Sequence, residues 1–171
     1  MKAEREHGWC LDGHTPSSNP HGDGLSILLV EDDRDNAESM VTLLGYFGHR
    51  VRVAFDGSSA CQAALRHPPD VVLFELALPD MDGWAVAHRL KGAPWDKRPL
   101  LIALTGCGSN EDRRRSGHIG IDLHLVKPVD PDLLRGVLAR FYRVVMPTQP
   151  SSAGGTTAES WQRRMIALAM E

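Results

Sequence analysis

The stretch LSILLVEDD at residues 25–33 decides the fold. Apart from Ser26, residues 25–30 are Leu, Ile or Val, so a strand formed there is apolar on both faces. Such a strand belongs inside a parallel sheet that helices cover on both sides, because a sheet with one solvated face would alternate apolar and polar residues. The run then stops abruptly at three consecutive carboxylates, Glu31, Asp32 and Asp33.

Working outward, the same kind of segment returns four times: RVRVAF (50–55), DVVLFE (70–75), PLLIAL (99–104) and DLHLVK (122–127). Between and after these runs lie amphipathic segments of helical length, beginning near Arg34, Ser58, Asp82, Ser109 and Asp130, several with Ser or Asp where an N-cap belongs. Five strands alternating with helices require right-handed crossovers and give a doubly wound α/β architecture. In that architecture the ligand site lies outside the carboxyl ends of the strands.

The flanks read differently. Residues 1–24 scatter Gly, Pro, Ser, Asn and His without an apolar period and are expected to form a disordered N-terminal tail. His7, Cys10, His14 and His21 fall there, but their spacing matches no closed zinc pattern. After about Val145, MPTQPSSAGGTTA has the composition of a flexible linker, and ESWQRRMIALAME follows as a short helix candidate with Trp161, Met165 and Leu168 at helical spacing. The expected organisation is therefore a tail over 1–24, one domain over 25–145, and a linker with a short helix over 146–171.

Composition bounds the function. With 42% hydrophobic residues and a net charge of −3 in 171 residues, the chain is an ordinary globular protein without the basic stripe that phosphate neutralisation on nucleic acid requires. No apolar run reaches the roughly 18 residues of a membrane span. Three widely spaced cysteines, Cys10, Cys61 and Cys107, suit a reducing, cytoplasmic setting. Direct nucleic-acid binding and membrane insertion are not expected, and neither flank is long enough to hold a separate DNA-binding effector domain.

The strand ends carry the chemistry. The first strand ends in Glu31 and Asp32, the third in Glu75, the fourth in Thr105 with Gly106 and Gly108 after it, and the fifth in Lys127 before Pro128. Converging carboxylates suit a hard divalent cation such as Mg²⁺. A hydroxyl and an ammonium beside that cation suit a phosphoryl group, whose oxygens they would neutralise and hydrogen-bond. A flavin phosphate would instead face three carboxylates where backbone and hydroxyl donors are needed.

The segments ILLVEDDRDNAESM, LALPDMDGW, ALTGCG and LVKPVD, at these intervals, resemble the receiver domain of two-component response regulators over nearly all of residues 25–145. The resemblance implies a flavodoxin-like five-stranded parallel sheet of order 2-1-3-4-5 and a histidine kinase, or another signalling protein of a phosphorelay, as partner. It also implies a monomer or weak dimer. Carried over by position, Glu31 and Asp32 match the Mg²⁺-holding acidic pair and Ala77 the residue whose backbone carbonyl ligates the metal. Thr105 and Lys127 match the phosphate-switch hydroxyl and lysine, His124 stands at the switch-aromatic position, and Pro128 is the cis-proline candidate. Asp33 falls one place past the acidic pair and reads as a helix-start residue.

One position departs from the family pattern. The phosphoacceptor lies four residues before the loop proline; counting back from Pro79 gives Glu75, where the family has an aspartate. The extra methylene moves the carboxylate oxygen by about 1 to 1.5 Å, a misplacement that can cost about a hundredfold in a positioned reaction. Asp70 and Asp80 sit at the wrong offsets to replace it. The expected function is therefore an atypical, single-domain receiver that acts by docking, in which Glu75 either holds the domain near its activated arrangement, reaching toward Lys127 in partial imitation of an aspartyl phosphate, or leaves it insensitive to phosphate. It is not expected to be an enzyme. The alternatives are a conventional receiver phosphorylated by a histidine kinase and, further off, a phosphohydrolase on the same fold, for which the Asp33–Asp35 pair lacks the usual surroundings. Arg113, Arg114 and Arg115 read as a solvated helix face, Trp84 and Trp95 as packing residues, and Cys107 as a passive small residue.

Overall fold

A computed structural model describes residues 24–106 and 119–145. Its elements alternate as expected: β1 (Ser26–Val30), α1 (Arg34–Tyr46), β2 (Arg50–Ala54), α2 (Gly57–Arg66), β3 (Val71–Glu75), α3 (Gly83–Lys91), β4 (Leu100–Thr105), β5 (Leu123–Val126) and α4 (Pro131–Val145). The five strands form one sheet of order β2-β1-β3-β4-β5, with every neighbouring pair parallel. The tails, the helix expected near Ser109, Cys107 and Arg113 to Arg115 lie outside the described residues.

The central strands β1, β3 and β4 are apolar on both faces because each face has its own core. Leu28, Val30, Val72, Phe74, Leu101 and Ala103 pack against α2 and α3 through Ala60, Ala64, Val86 and Leu90. On the other face Ile27, Leu29, Val71, Leu73, Ile102 and Leu104 pack with Ala37 and Leu44 of α1 and with Leu134, Leu138 and Phe141 of α4. Trp84 is buried inside α3 rather than at its flank, and Trp95 packs partly buried against the first of these cores.

Several strand ends are shorter than the apolar runs predict, and polar side chains set the limits. Asp70 precedes β3 because its Oδ2 accepts from the Ser26 backbone N–H at 2.9 Å. Asp122 precedes β5 because its carboxylate accepts from the Leu101 N–H at 2.8 Å and pairs with Arg98 at 3.2 Å. Helices start behind aspartates throughout: Asp33, Asp56 and Asp82 cap α1, α2 and α3, and Asp130 Oδ1 accepts from the Asp132 and Leu133 N–H groups at the start of α4. Each carboxylate satisfies amides that the first helical turn leaves without partners and opposes the positive end of the helix dipole.

Candidate functional site

Sheet register brings the polar strand ends together. Val30 pairs with Phe74, so the residues that follow them, Glu31 and Glu75, stand side by side. Glu75 pairs with Leu104, next to Thr105, and Thr105 pairs with Val126, next to Lys127. The backbone ties the fourth and fifth strand ends directly, the Lys127 N–H donating to the Thr105 carbonyl at 2.8 Å. The Lys127–Pro128 peptide bond is cis.

Lys127 is the hub of the site. Its ammonium donates to Glu31 Oε2 at 2.8 Å and makes a second, close ion pair with Glu75 Oε2. The Glu31 and Glu75 side chains are 6% and 13% exposed and that of Lys127 30%, so the triad is largely withdrawn from water and solvent screens it weakly. Burial works against the charged ammonium, but the hydrogen bonds and charges of Glu31 and Glu75 outweigh it, and the Lys127 pKa is raised above the ordinary lysine value. The other Glu75 oxygen, Oε1, accepts from the Leu76 N–H at 2.9 Å, with the Ala77 N–H farther off at 3.4 Å. Both oxygens of Glu75 are thus engaged from within the chain.

The remaining site residues fall around this triad. Thr105 is buried at the end of β4. Asp32 is exposed beside Glu31, and Ala77 is exposed in the loop after β3. His124 lies on β5 with its ring centroid 5.7 Å from that of Trp84, so α3 packs against this strand. Asp33 is directed away from the triad to its own helix, accepting from the Asn36 N–H at 2.8 Å. Asp70 is at the opposite end of β3, paired with Lys97 at 3.1 Å.

Sequence reading did not anticipate the part played by Asp80. Its two oxygens accept from the Gly57 and Ser58 N–H groups at 2.8 and 2.9 Å, which clamps the loop after β3 to the amino end of α2. These hydrogen bonds, that from Gly57 foremost, hold the Asp80 carboxyl below its ordinary value. The partners are 22 and 23 residues apart, so nothing local in the sequence marks the contact. The loop is also fixed from its far side: a Cβ on Gly83 would lie 2.6 Å from the Glu75 carbonyl oxygen, which leaves only glycine at the start of α3.

Carboxylates and a backbone carbonyl are the oxygen donors that a hard divalent cation takes. Glu31, Asp32 and Glu75 carry three negative charges against the single ammonium of Lys127, leaving an acidic surplus that fits such a cation. Among the described residues no group of three or more His, Cys, Asp or Glu side chains already converges as a metal cage.

Comparison with known proteins places these features in context. Residues 27–139 match the family model of the response regulator receiver domain. The chain is 32% identical over 137 residues to response regulator MprA of Mycobacterium leprae, an alignment spanning 80% of this chain and 58% of that protein. It is equally identical, at 32% over 124 residues, to an uncharacterized 14.6 kDa protein of Leptolyngbya boryana, covering 72% of this chain and 93% of the other. Among solved structures it is similar to the receiver domain of the sensor histidine kinase PA1611 of Pseudomonas aeruginosa, with a TM-score of 0.64 and 31% identity over 70% of this chain and 98% of that one. That structure has a magnesium ion coordinated in its active site cleft.

Proposed function

Given that the chain belongs to the response regulator receiver domain family of two-component signalling, we propose that it is an atypical receiver, which signals by docking and does not depend on phosphorylation. One observation carries this reading: Glu75, which stands at the phosphoacceptor position, is already ion-paired through Oε2 with Lys127, the lysine that would otherwise neutralise a phosphoryl group. A carboxylate one methylene longer than aspartate spans the gap to the ammonium, so the contact that phosphate would create exists in its absence.

The same pairing disfavours phosphotransfer. For Glu75 to attack a phosphodonor, Oε2 must leave Lys127, and the extra methylene displaces that oxygen from where an aspartate at the same position would carry it. Mg²⁺, which would neutralise phosphoryl oxygens, would be held by Glu31, Asp32, Glu75 and the Ala77 carbonyl. Its binding competes with Lys127 for Glu31. Partners on this reading are a histidine kinase or another signalling protein whose docking surface recognises the paired state.

The test is restoration of geometry. Glu75→Asp and the natural chain are incubated with Mg²⁺ and a small phosphodonor, and phosphoryl incorporation is followed with time. The variant should incorporate phosphate at least about a hundredfold faster, the scale expected of an ångström-sized misplacement. Stoichiometric incorporation by the natural chain at the variant's rate would reject the proposal in favour of conventional phosphotransfer onto the glutamate.

A further inference from the structure

The amino-terminal end of the sheet, opposite the acidic strand ends, carries a basic depression of about 450 Å³ lined by Ser26, Arg50, Arg52, Arg66, His67 and Pro68. From Ser26 to Val30 the strand rises about 3.3 Å per residue, which sets this depression on the order of 15 Å from the Glu31–Glu75–Lys127 triad. None of the six lining residues is acidic, in a chain whose net charge is −3.

Its construction follows from strand alternation. Residues 50, 52 and 54 of β2 face the α2 side of the sheet. Ala54 is buried there, whereas Arg50 and Arg52 turn the lower part of the same face cationic. The chain leaving α2 adds Arg66 and His67 from the other side. One cation suffices to complement a helix carboxyl end; here three arginines and a histidine line one depression. Arg52 is anchored, its Nη2 donating to the His67 carbonyl at 2.5 Å. Arg66 makes one bond, to Gln62 Oε1 at 3.2 Å, and the exposed Arg50 guanidinium has no partner among the described residues. The nearby carboxylate of Asp70 is already engaged with the Ser26 N–H and Lys97.

We propose that this depression is a binding site for a diphosphate group. Arginine presents planar paired donors that match phosphate oxygens bidentately, and three fixed positive charges exceed what a single phosphate would neutralise. The open shape leaves room for a substituent on the diphosphate, so both free diphosphate and a nucleoside diphosphate carry the required chemistry.

Isothermal titration of the full chain in metal-free buffer, where the acidic strand ends repel anions, tests the site with inorganic pyrophosphate, ADP and AMP. Saturable binding of pyrophosphate and ADP, weaker for AMP, is expected. Arg50→Glu and Arg66→Glu, both at exposed positions, should weaken it at least about tenfold, the scale of a lost charge-assisted hydrogen bond, while circular dichroism stays unchanged. Equal affinities for pyrophosphate and ADP identify free diphosphate as the ligand, and tighter ADP binding identifies a nucleotide. Absence of saturable binding, or binding that both variants leave intact, overturns the proposal. Glu75→Asp should not alter the titration, so the outcome is independent of the signalling reading.

Discussion

Lys127 holds two carboxylates that belong to different strands, and its removal would leave Glu31 and Glu75 facing one another without a counter-charge. Breaking a buried ion pair costs about 3 to 5 kcal/mol, and the partial exposure of Lys127 reduces this to about 1 to 3 kcal/mol for Lys127→Met at pH 7. Urea denaturation of the two proteins measures it. The pH dependence has a definite sign. Because the lysine pKa is higher in the folded than in the unfolded chain, the folded state holds this proton more tightly. The pair's contribution is therefore complete below the ordinary value of 10.5 and is lost as pH rises through the raised folded value. The stability gap between natural chain and variant should close in that alkaline range and stay constant from pH 7 to 9; a gap that closes near neutrality would contradict the pairing. At this scale the sequence was legible where spacing is local. Glu75 follows from counting back from Pro79, and Asp33 reads as a helix start from its place before α1. The engagement of both Glu75 oxygens was not legible, because it depends on how the Lys127 side chain crosses the ends of β3 and β4.

The elements were readable because local chemistry and hydrophobic period agree. Each described helix begins just behind an aspartate, and β1, β3 and β4 follow the long apolar runs of the sequence, whereas β2 alternates Arg with Val. Strand limits were less readable, since Asp70 and Asp122 end β-structure through bonds to residues far away in sequence. Asp80 shows the same limitation at the site: it joins the loop after β3 to α2, and only the fold brings them together. Asp80→Ala should speed hydrogen exchange at the Gly57 and Ser58 amides, with smaller changes at the Ala85 amide that Asp82 caps independently. Since the Asp80 pKa is depressed in the folded chain, its bonds contribute fully above the ordinary value of 3.8 and are lost as pH falls through the lower folded value. Exchange protection at Gly57 and Ser58 that is unaffected by the substitution would show that α2 holds its own first turn.

Across the whole molecule, the sheet separates two ends of opposite charge. The carboxyl ends gather Glu31, Asp32 and Glu75 around Lys127, and the amino ends of β1 and β2 gather Arg50, Arg52 and Arg66. A near-neutral composition concealed this division, which appears only once the strands run parallel and in register. Between the ends lies a core that tolerates little change: Phe74, fully buried immediately before Glu75, should cost about 3 to 5 kcal/mol on replacement by Ala. That is a large share of the 5 to 15 kcal/mol typical of a domain, and a small shift of the urea midpoint would show that the core is looser than described. No described helix is long and apolar enough to cross a membrane.

On the proposed reading the Glu75–Lys127 pair occupies the place of a phosphoryl group. Intact-mass measurement of the natural chain after incubation with Mg²⁺ and a small phosphodonor tests it most directly. The mass should stay unmodified throughout; a stoichiometric phosphoryl adduct mapping to Glu75 would show that the glutamate is a working phosphoacceptor.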